Sequence, residues 1–412
     1  MNIKPSLHGK GIFDREFLAV LIIVASTFAW YTLIYIYMTN IIGKLQVTNV
    51  ETLEIFAFFY IGIALSAILN PFVAKKFARD LFLLVWIFVG ALASALLLVL
   101  DVSMPTSAFA VSLFLGCSIG IGLPSCLAYF ADTMHLENRG KIGGIIWAGV
   151  GIVILLFAVL SSMLDSRAEI VLFTFFRLCG LLFFFLKPRQ QMTVLGRDHS
   201  YSSILTDSNI LFYLIPWIMF SLINWIESPI VEKLFGEELY TLITFAEVAI
   251  SGIFAFVGGL FSDLVGRKRI IIVGFIMLGI EYAVLSFLQG VTISWYIYIF
   301  LDGISWGMFS VVFFIVLWGD LAKDGIKEKY YVIGGLPYLL AGFLRILVGQ
   351  YVESINVSTA FSLASFFLFL AILPLIYAPE TLPEKKIQER QIKKYVEEAK
   401  KVAEKKAGKK QV

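Results

Sequence analysis

The sequence predicts an all-α integral membrane protein, with twelve transmembrane helices in two pseudo-symmetric six-helix bundles. Three observations carry this. The 412 residues are 59% hydrophobic and only 15% charged, against about 25% charged in ordinary soluble domains. The apolar residues fall in long runs, each able to cross a hydrocarbon core of roughly 30 Å as a helix. A charge pattern also repeats: Asp132 precedes Arg139 by seven residues, Asp320 precedes Lys327 by the same spacing, and Gly143-Gly144 and Gly334-Gly335 open the runs that follow.

Taken in order, spans are expected at about residues 17–40, 53–73, 81–100, 107–131, 142–163 and 168–186. After a polar stretch from Lys187 to Asn209, six more are expected at about 210–231, 240–260, 270–288, 293–319, 331–350 and 357–378. The first run is too long for a signal-peptide core and has no small-residue cleavage site after it, so it should remain as a span. With both termini in the cytoplasm, twenty-eight of the 33 basic residues lie inside, and only Lys44, Arg167 and Lys233 lie outside. That asymmetry is the positive-inside pattern. The expected domains are a cytoplasmic N-terminus (1–16), an N-terminal bundle (17–186), a cytoplasmic linker (187–209), a C-terminal bundle (210–378) and a basic tail helix (379–412). The expected setting is the cell (plasma) membrane, as a multi-pass monomer.

Several classes of chemistry are excluded. Cys117, Cys126 and Cys179 all sit in apolar runs and are odd in number, so they form no disulfide framework. His8, His135 and His199 are scattered, and no metal-ligand spacing appears. Neither a nucleophile–base pair nor a phosphate cradle is present. An enzyme is therefore not expected, nor a cofactor or a metal. The tail carries eleven basic and six acidic residues. Its stripe of Ile392, Tyr395, Val396, Ala399, Val402 and Ala403 suits a helix on anionic lipid headgroups better than a nucleic-acid partner.

Ionisable residues inside a membrane are costly and are functional candidates by default. Six lie well within the spans: Arg177, Glu227, Glu247, Glu281, Asp302 and Arg345. Four acids against two bases leave two carboxyls without a partner, and a buried unpaired carboxylate tends to bind a proton. On the seventh span Ser221, Asn224 and Glu227 share roughly one helix face, with Trp217 and Trp225 nearby. The tenth span groups Asp302, Ser305 and Trp306. Glu247 forms a polar stripe with Thr244 and Ser251 on the eighth. Arg345 lies at a similar depth to Glu227 and Asp302 and is their expected counter-ion. Glu281 and Arg177 are expected to be structural, each within its own half. In the first half, Ser26, Thr27, Trp30, Tyr31, Tyr35, Ser118, Ser125 and Tyr129 are neutral groups suited to holding a small solute.

Between the eighth and ninth spans stands Gly259-Leu-Phe-Ser-Asp263-Leu-Val-Gly266-Arg267-Lys268-Arg-Ile270. Gly259 and Gly266 permit close helix approach or a tight turn. Asp263 can pair with Arg267 and Lys268 or with a neighbouring helix N-terminus, as a latch that holds one conformation and releases in another. The segment from Asn70 to Leu81, set 189 residues earlier, matches at Phe72, Arg79 and Leu81, with Arg79 opposite Lys268. It lacks the Asp and both glycines, so no matching latch is expected there.

The 259–270 segment resembles the loop motif between the second and third helices of each half in the major facilitator superfamily. Asp132–Gly140 resembles that superfamily's loop after helix four, and Pro379-Glu380-Thr381 resembles the exit of helix twelve in its sugar porters. The resemblance implies a secondary carrier that moves a small solute by alternating access, with helices one, four, seven and ten lining a central cavity. It makes Asn224, Glu227, Glu247, Asp302, Trp306 and Arg345 the substrate and coupling set, with protons as the coupling ion through Glu227 or Asp302. Gly259, Asp263, Gly266, Arg267 and Lys268, with Asp132, Arg139, Asp320 and Lys327, become the gating set that helps hold the outward-facing state. Unlike many sugar porters, the chain has no Asp in helix one and no Arg in helix four. Unlike drug antiporters, it has no Gly-Pro in helix five. The solute class therefore stays open, and the alternative reading is a non-transporting membrane sensor on the same scaffold.

Overall fold

In hydrocarbon a backbone must satisfy its own hydrogen bonds, which leaves apolar runs of this length one local solution, the helix. The computed structural model describes residues 14–44, 48–98, 105–186, 198–322, 325–349, 351–382 and 392. Twelve helices in it are long and apolar enough to span a membrane. In the first half these are α1 (Arg15–Ile42), α2 (Asn49–Ala74), α3 (Arg79–Leu96), α4 (Thr106–Thr133), α5 (Leu136–Ser161) and α6 (Ser166–Phe185). In the second they are α7 (Ser208–Phe235), α8 (Leu239–Val265), α9 (Arg267–Leu288), α10 (Thr292–Leu321), α11 (Lys327–Gly349) and α12 (Val357–Tyr377). The expected tail helix, and the part of the linker holding Lys187, Arg189 and Arg197, lie outside the described residues.

The two halves repeat one packing scheme. In the first, α2 packs on α4, α3 on α6 and α1 on α5; in the second, α8 packs on α10, α9 on α12 and α7 on α11. The halves meet where α5 lies along α8 and, symmetrically, where α11 lies along α2. Small residues let α5 and α8 approach: a methyl group at Gly144 would stand 2.5 Å from the Ala255 carbonyl oxygen, and one at Gly259 would overlap the Gly140 carbonyl. On the outer side of α3, Leu81, Val85, Phe88 and Leu92 are exposed at helical spacing, forming a lipid-facing stripe.

Both halves break regular helix at the same place. α4 turns at Ile121-Gly122, and α10 contains a π-helical stretch from Ser310 to Val316, starting 188 residues after Gly122. Interrupted helices near the middle of a carrier free backbone groups and re-aim side chains at the central site.

Several helices run further than the sequence suggests. α5 begins early enough to include Arg139 and Gly140, and α7 extends to Phe235, taking in Glu232. α8 ends at Val265 and α9 begins at Arg267. The 259–270 motif is thus a corner rather than a loop, turning on Gly266 alone with φ +102°. A side chain is strained at that φ, and a methyl group would also overlap the Glu380 carboxylate.

Candidate functional site

Between the halves lies a cavity of about 340 Å³. α1 contributes Thr27, Trp30, Tyr31 and Tyr35, α7 contributes Asn224, Trp225 and Glu227, and α10 contributes Asp302, Trp306 and Phe314. α4, expected as the fourth lining helix, adds Leu123 and Pro124, while Ser118, Ser125 and Tyr129 stay behind it. The Ser125 hydroxyl instead donates to Asn70 at 3.1 Å, and that of Ser118 to the Leu115 carbonyl at 2.8 Å. α5, α8 and α11 also reach the cavity, through Trp147, Glu247 and Tyr338 among others. Ser221 and Ser305 donate to carbonyls of their own helices and do not line it.

Four carboxyls gather in the second half, three on the cavity wall and one behind it. Glu227 and Asp302 are buried at 7% and 4% exposure. Glu247 faces the same cavity from α8. The fourth is Glu281, fully buried on α9, whose carboxyl lies against that of Asp302. All four are close enough to interact electrostatically. Tyr298 donates to Glu227 Oε1 at 3.4 Å, and the Tyr282 hydroxyl stands beside the same carboxyl. Glu227 Oε2, Glu247 Oε1 and both oxygens of Glu281 have no hydrogen bond of ordinary geometry among the described residues.

Two expectations from the sequence change here. Glu281 stays within its own half, as expected, but is not separate from the site: it lies against Asp302 on α10, which sequence depth alone cannot reveal. Arg345 lines the same cavity and its charge acts on Glu227, but its direct ion pair is with another acid. Its Nη2 lies 2.9 Å from Glu232 Oε2, and its guanidinium covers the Tyr240 ring at 5.6 Å. The longer α7 puts Glu232 in reach of Arg345, and no basic side chain forms a direct ion pair with the acid cluster among the described residues.

Arg177, the other intramembrane base, stays within the first half as expected. It is fully buried between the rings of Trp30 and Trp86, at 4.6 and 4.3 Å, and donates to Thr27 Oγ1 at 3.0 Å. It pairs with no carboxylate among the described residues, and cation–π contact takes that place.

With twelve spans, α1 begins and α12 ends on one face, and there the halves are tied by ion pairs. Asp263 Oδ1 and Oδ2 accept the backbone N–H groups of Gly140 at 3.0 Å and Lys141 at 2.8 Å, and Arg267 Nη1 donates to Oδ1 at 2.6 Å. A carboxylate of the second half thus caps the N-terminal turn of a first-half helix, where free amides and the helix dipole favour negative charge. Asp320 accepts from Arg139 at 2.5 Å and from Arg267 at 3.3 Å, and Arg267 also reaches the Leu136 carbonyl at 2.8 Å.

The first half does have a counterpart, built differently. Asp132 pairs with both Arg79 and Lys327, and Arg79 Nη2 lies 2.7 Å from Glu328 Oε1. Asp132 and Asp320, Arg139 and Lys327, and Arg79 and Arg267 are then all 188 residues apart. The repeat register is 188, one less than the motif comparison suggests, and Arg79 corresponds to Arg267 instead of Lys268. Lys268 does not cross between halves: its Nζ holds the Ile376 and Ala378 carbonyls at 2.7 and 2.9 Å. Glu380, in the Pro-Glu-Thr exit, accepts the N–H groups of Arg267 at 2.9 Å and Lys268 at 3.2 Å and so caps α9.

This architecture has known counterparts. The Major Facilitator Superfamily family model matches residues 17–323, well over half the chain. The chain belongs to the Major Facilitator Superfamily. No curated protein sequence matches it. Among solved structures of the superfamily, the E. coli fucose:proton symporter FucP in the outward conformation superposes with a TM-score of 0.70 at 10% identity, over 89% of this chain and 98% of that one. The proton:xylose symporter XylE, bound to 6-bromo-6-deoxy-D-glucose, gives 0.67 at 15% identity, covering 89% and 96%. The human organic anion transporter MFSD10 gives 0.62 at 15% identity, covering 88% and 99%. As a superfamily member with this fold, the protein is a multi-pass secondary transporter. Glu232 and Glu328 are the residues of its charge networks that the sequence did not single out; Arg79 appeared there only through the repeat and Glu380 only through the Pro-Glu-Thr exit.

Proposed function

We propose that this transporter moves a small organic solute through the central cavity by rocking one half (17–186) against the other (210–378), coupled to protons carried by Glu227, Asp302 and their neighbours Glu247 and Glu281. The observation that carries the proposal is the group of three carboxyls on the cavity wall, with Glu281 behind them, and no direct ion pair to any of the four among the described residues. An ionised carboxylate sealed from water costs several kcal/mol without a partner. The cluster can therefore be closed off only when protons or a ligand neutralise it, and this ties closure of the cavity to proton occupancy. Proton symport by FucP and XylE, which share the fold, supports this coupling.

In this reading the ion-paired face is cytoplasmic, the membrane is the cell membrane, and the networks of Asp263 and Asp132 are latches that open when the cavity turns inward. The solute leaves chemically unchanged, and one chain suffices. The basic tail rests on anionic headgroups. The test is uptake by purified protein in liposomes under a pH gradient. Glu227→Gln and Asp302→Asn should each abolish driven uptake while elution profile and melting temperature stay near those of the parent. Unchanged uptake in both variants would remove these residues from the site.

A further inference from the structure

We propose that the solute is an organic cation bearing an aromatic ring or a quaternary ammonium centre. This deepens the reading of the cavity as the transport site and rests on it. Three solute classes compete for such a cavity, and the wall discriminates among them.

A sugar needs free hydroxyls and amides. Here Thr27, Thr32 and Thr244 donate to carbonyls of their own helices at 2.7, 3.0 and 3.0 Å, and the Ser228 hydroxyl is bonded to that of Tyr240 at 2.7 Å. These hydroxyls are already engaged, and the groups left open, among them the Tyr35 hydroxyl and the Trp225 and Trp318 indole N–H groups, sit on aromatic rings. An anion needs a free cation. Arg345 is held by Glu232, and Arg177 is fully buried behind Trp30.

A cation finds both of its partners. Glu227, Glu247 and Asp302 line the wall, with Glu281 behind Asp302. In the same cavity, Tyr338 is the hub of a ring cluster: Phe314, Trp225 and Trp306 have centroids 4.9, 5.5 and 5.6 Å from it, and Tyr35 lies 5.9 Å from Trp225. Ring faces carry the negative end of the quadrupole and attract a desolvated cation. The other titratable groups turned toward the carboxyls are phenols: Tyr240 on α8, Tyr282 on α9, Tyr298 on α10, and Tyr31 on α1 with Tyr35 and Tyr338 already named. Arg345 is the remaining charge in reach. The acid cluster then holds either protons or the solute. When a cation binds to the protonated cluster, a carboxyl O–H bond breaks, the proton passes to water, and the carboxylate left behind faces the ammonium.

The test uses the full chain in detergent and three probes: phenyltrimethylammonium, whose charge cannot titrate, L-fucose and benzoate. Calorimetry reads affinity and a pH electrode in weak buffer reads proton release. Phenyltrimethylammonium should bind saturably, with affinity rising up to about tenfold per pH unit where one proton is displaced. Glu227→Gln with Asp302→Asn should weaken it by at least about tenfold. If that double variant does not fold, Glu247→Gln alone should still reduce the affinity. Preferential binding of fucose or benzoate, or cation binding indifferent to these substitutions, overturns the proposal. Fucose binding with proton movement lost in Glu227→Gln would overturn the solute class and leave proton coupling standing. Cation binding without proton release, but sensitive to the substitutions, would support the solute class and sink the coupling.

Discussion

At the scale of single residues, Asp263 shows how one carboxylate can decide between two states of a molecule. Its two oxygens accept two backbone amides of the opposite half and one arginine of its own. Asp263→Asn keeps the shape and removes the charge that makes these bonds strong, a loss of about 1–3 kcal/mol from the closed face. A cysteine at Val311, which is buried and packs toward Gly143 across the interface, should then react severalfold faster with a maleimide in the Asn variant, the native cysteines having been replaced. Equal rates would mean that Asp263 does not hold this face shut. Asp263 was legible because glycines and bases surround it in sequence. The contact of Glu281 with Asp302 was not, because depth along a helix can be read from the chain whereas rotation about the helix axis is set by what α9 packs against. The direct partner of Arg345, Glu232, was missed for a related reason: it depends on where α7 ends, and helix ends are the least sharply encoded feature of a long apolar run.

At the scale of elements, the α5–α8 contact is the seam along which the halves must part. Gly140, Gly144 and Gly259 allow backbone to touch backbone there. Gly259→Ala puts a methyl group into the Gly140 carbonyl and should cost the closed face about 1–3 kcal/mol, the usual scale for overpacking. Thermal unfolding in detergent should show a lower melting temperature, whereas Gly149→Ala, which meets nothing within 4 Å, should leave it unchanged. Equal shifts for the two would contradict close packing at this seam. The twelve helices and their two-fold repeat could be read from apolar run lengths and from the Asp132 and Asp320 spacings. The one-residue error in register arose because the first copy of the corner motif carries neither its Asp nor its glycines. The geometry at Arg79 and Arg267 fixes the register, since both arginines start a helix and both reach the aspartate at the end of the helix before the crossing.

At the scale of the whole molecule, charge is sorted into three places. Exposed bases such as Lys75, Lys76 and Arg269 sit on the face where α1 begins and α12 ends, ion pairs stitch the halves together just inside that face, and acids with no direct ion pair among the described residues line the cavity. Ion pairs that cross between halves hold one conformation at no permanent cost, because each can separate into water. The carboxyl cluster cannot ionise without water or a ligand, so its proton occupancy should bias which way the halves lean. Spin labels at Lys76→Cys and Arg269→Cys, both exposed on that face and in opposite halves, report the lean by pulsed electron resonance without any solute. In otherwise parental protein free of native cysteines, the distance distribution should redistribute between about pH 5 and pH 9. With Glu227→Gln and Asp302→Asn added, it should stay fixed across that range. A pH response that persists undiminished in the neutralised variant, or no response in the parent, would contradict the coupling of protons to conformation through these carboxyls.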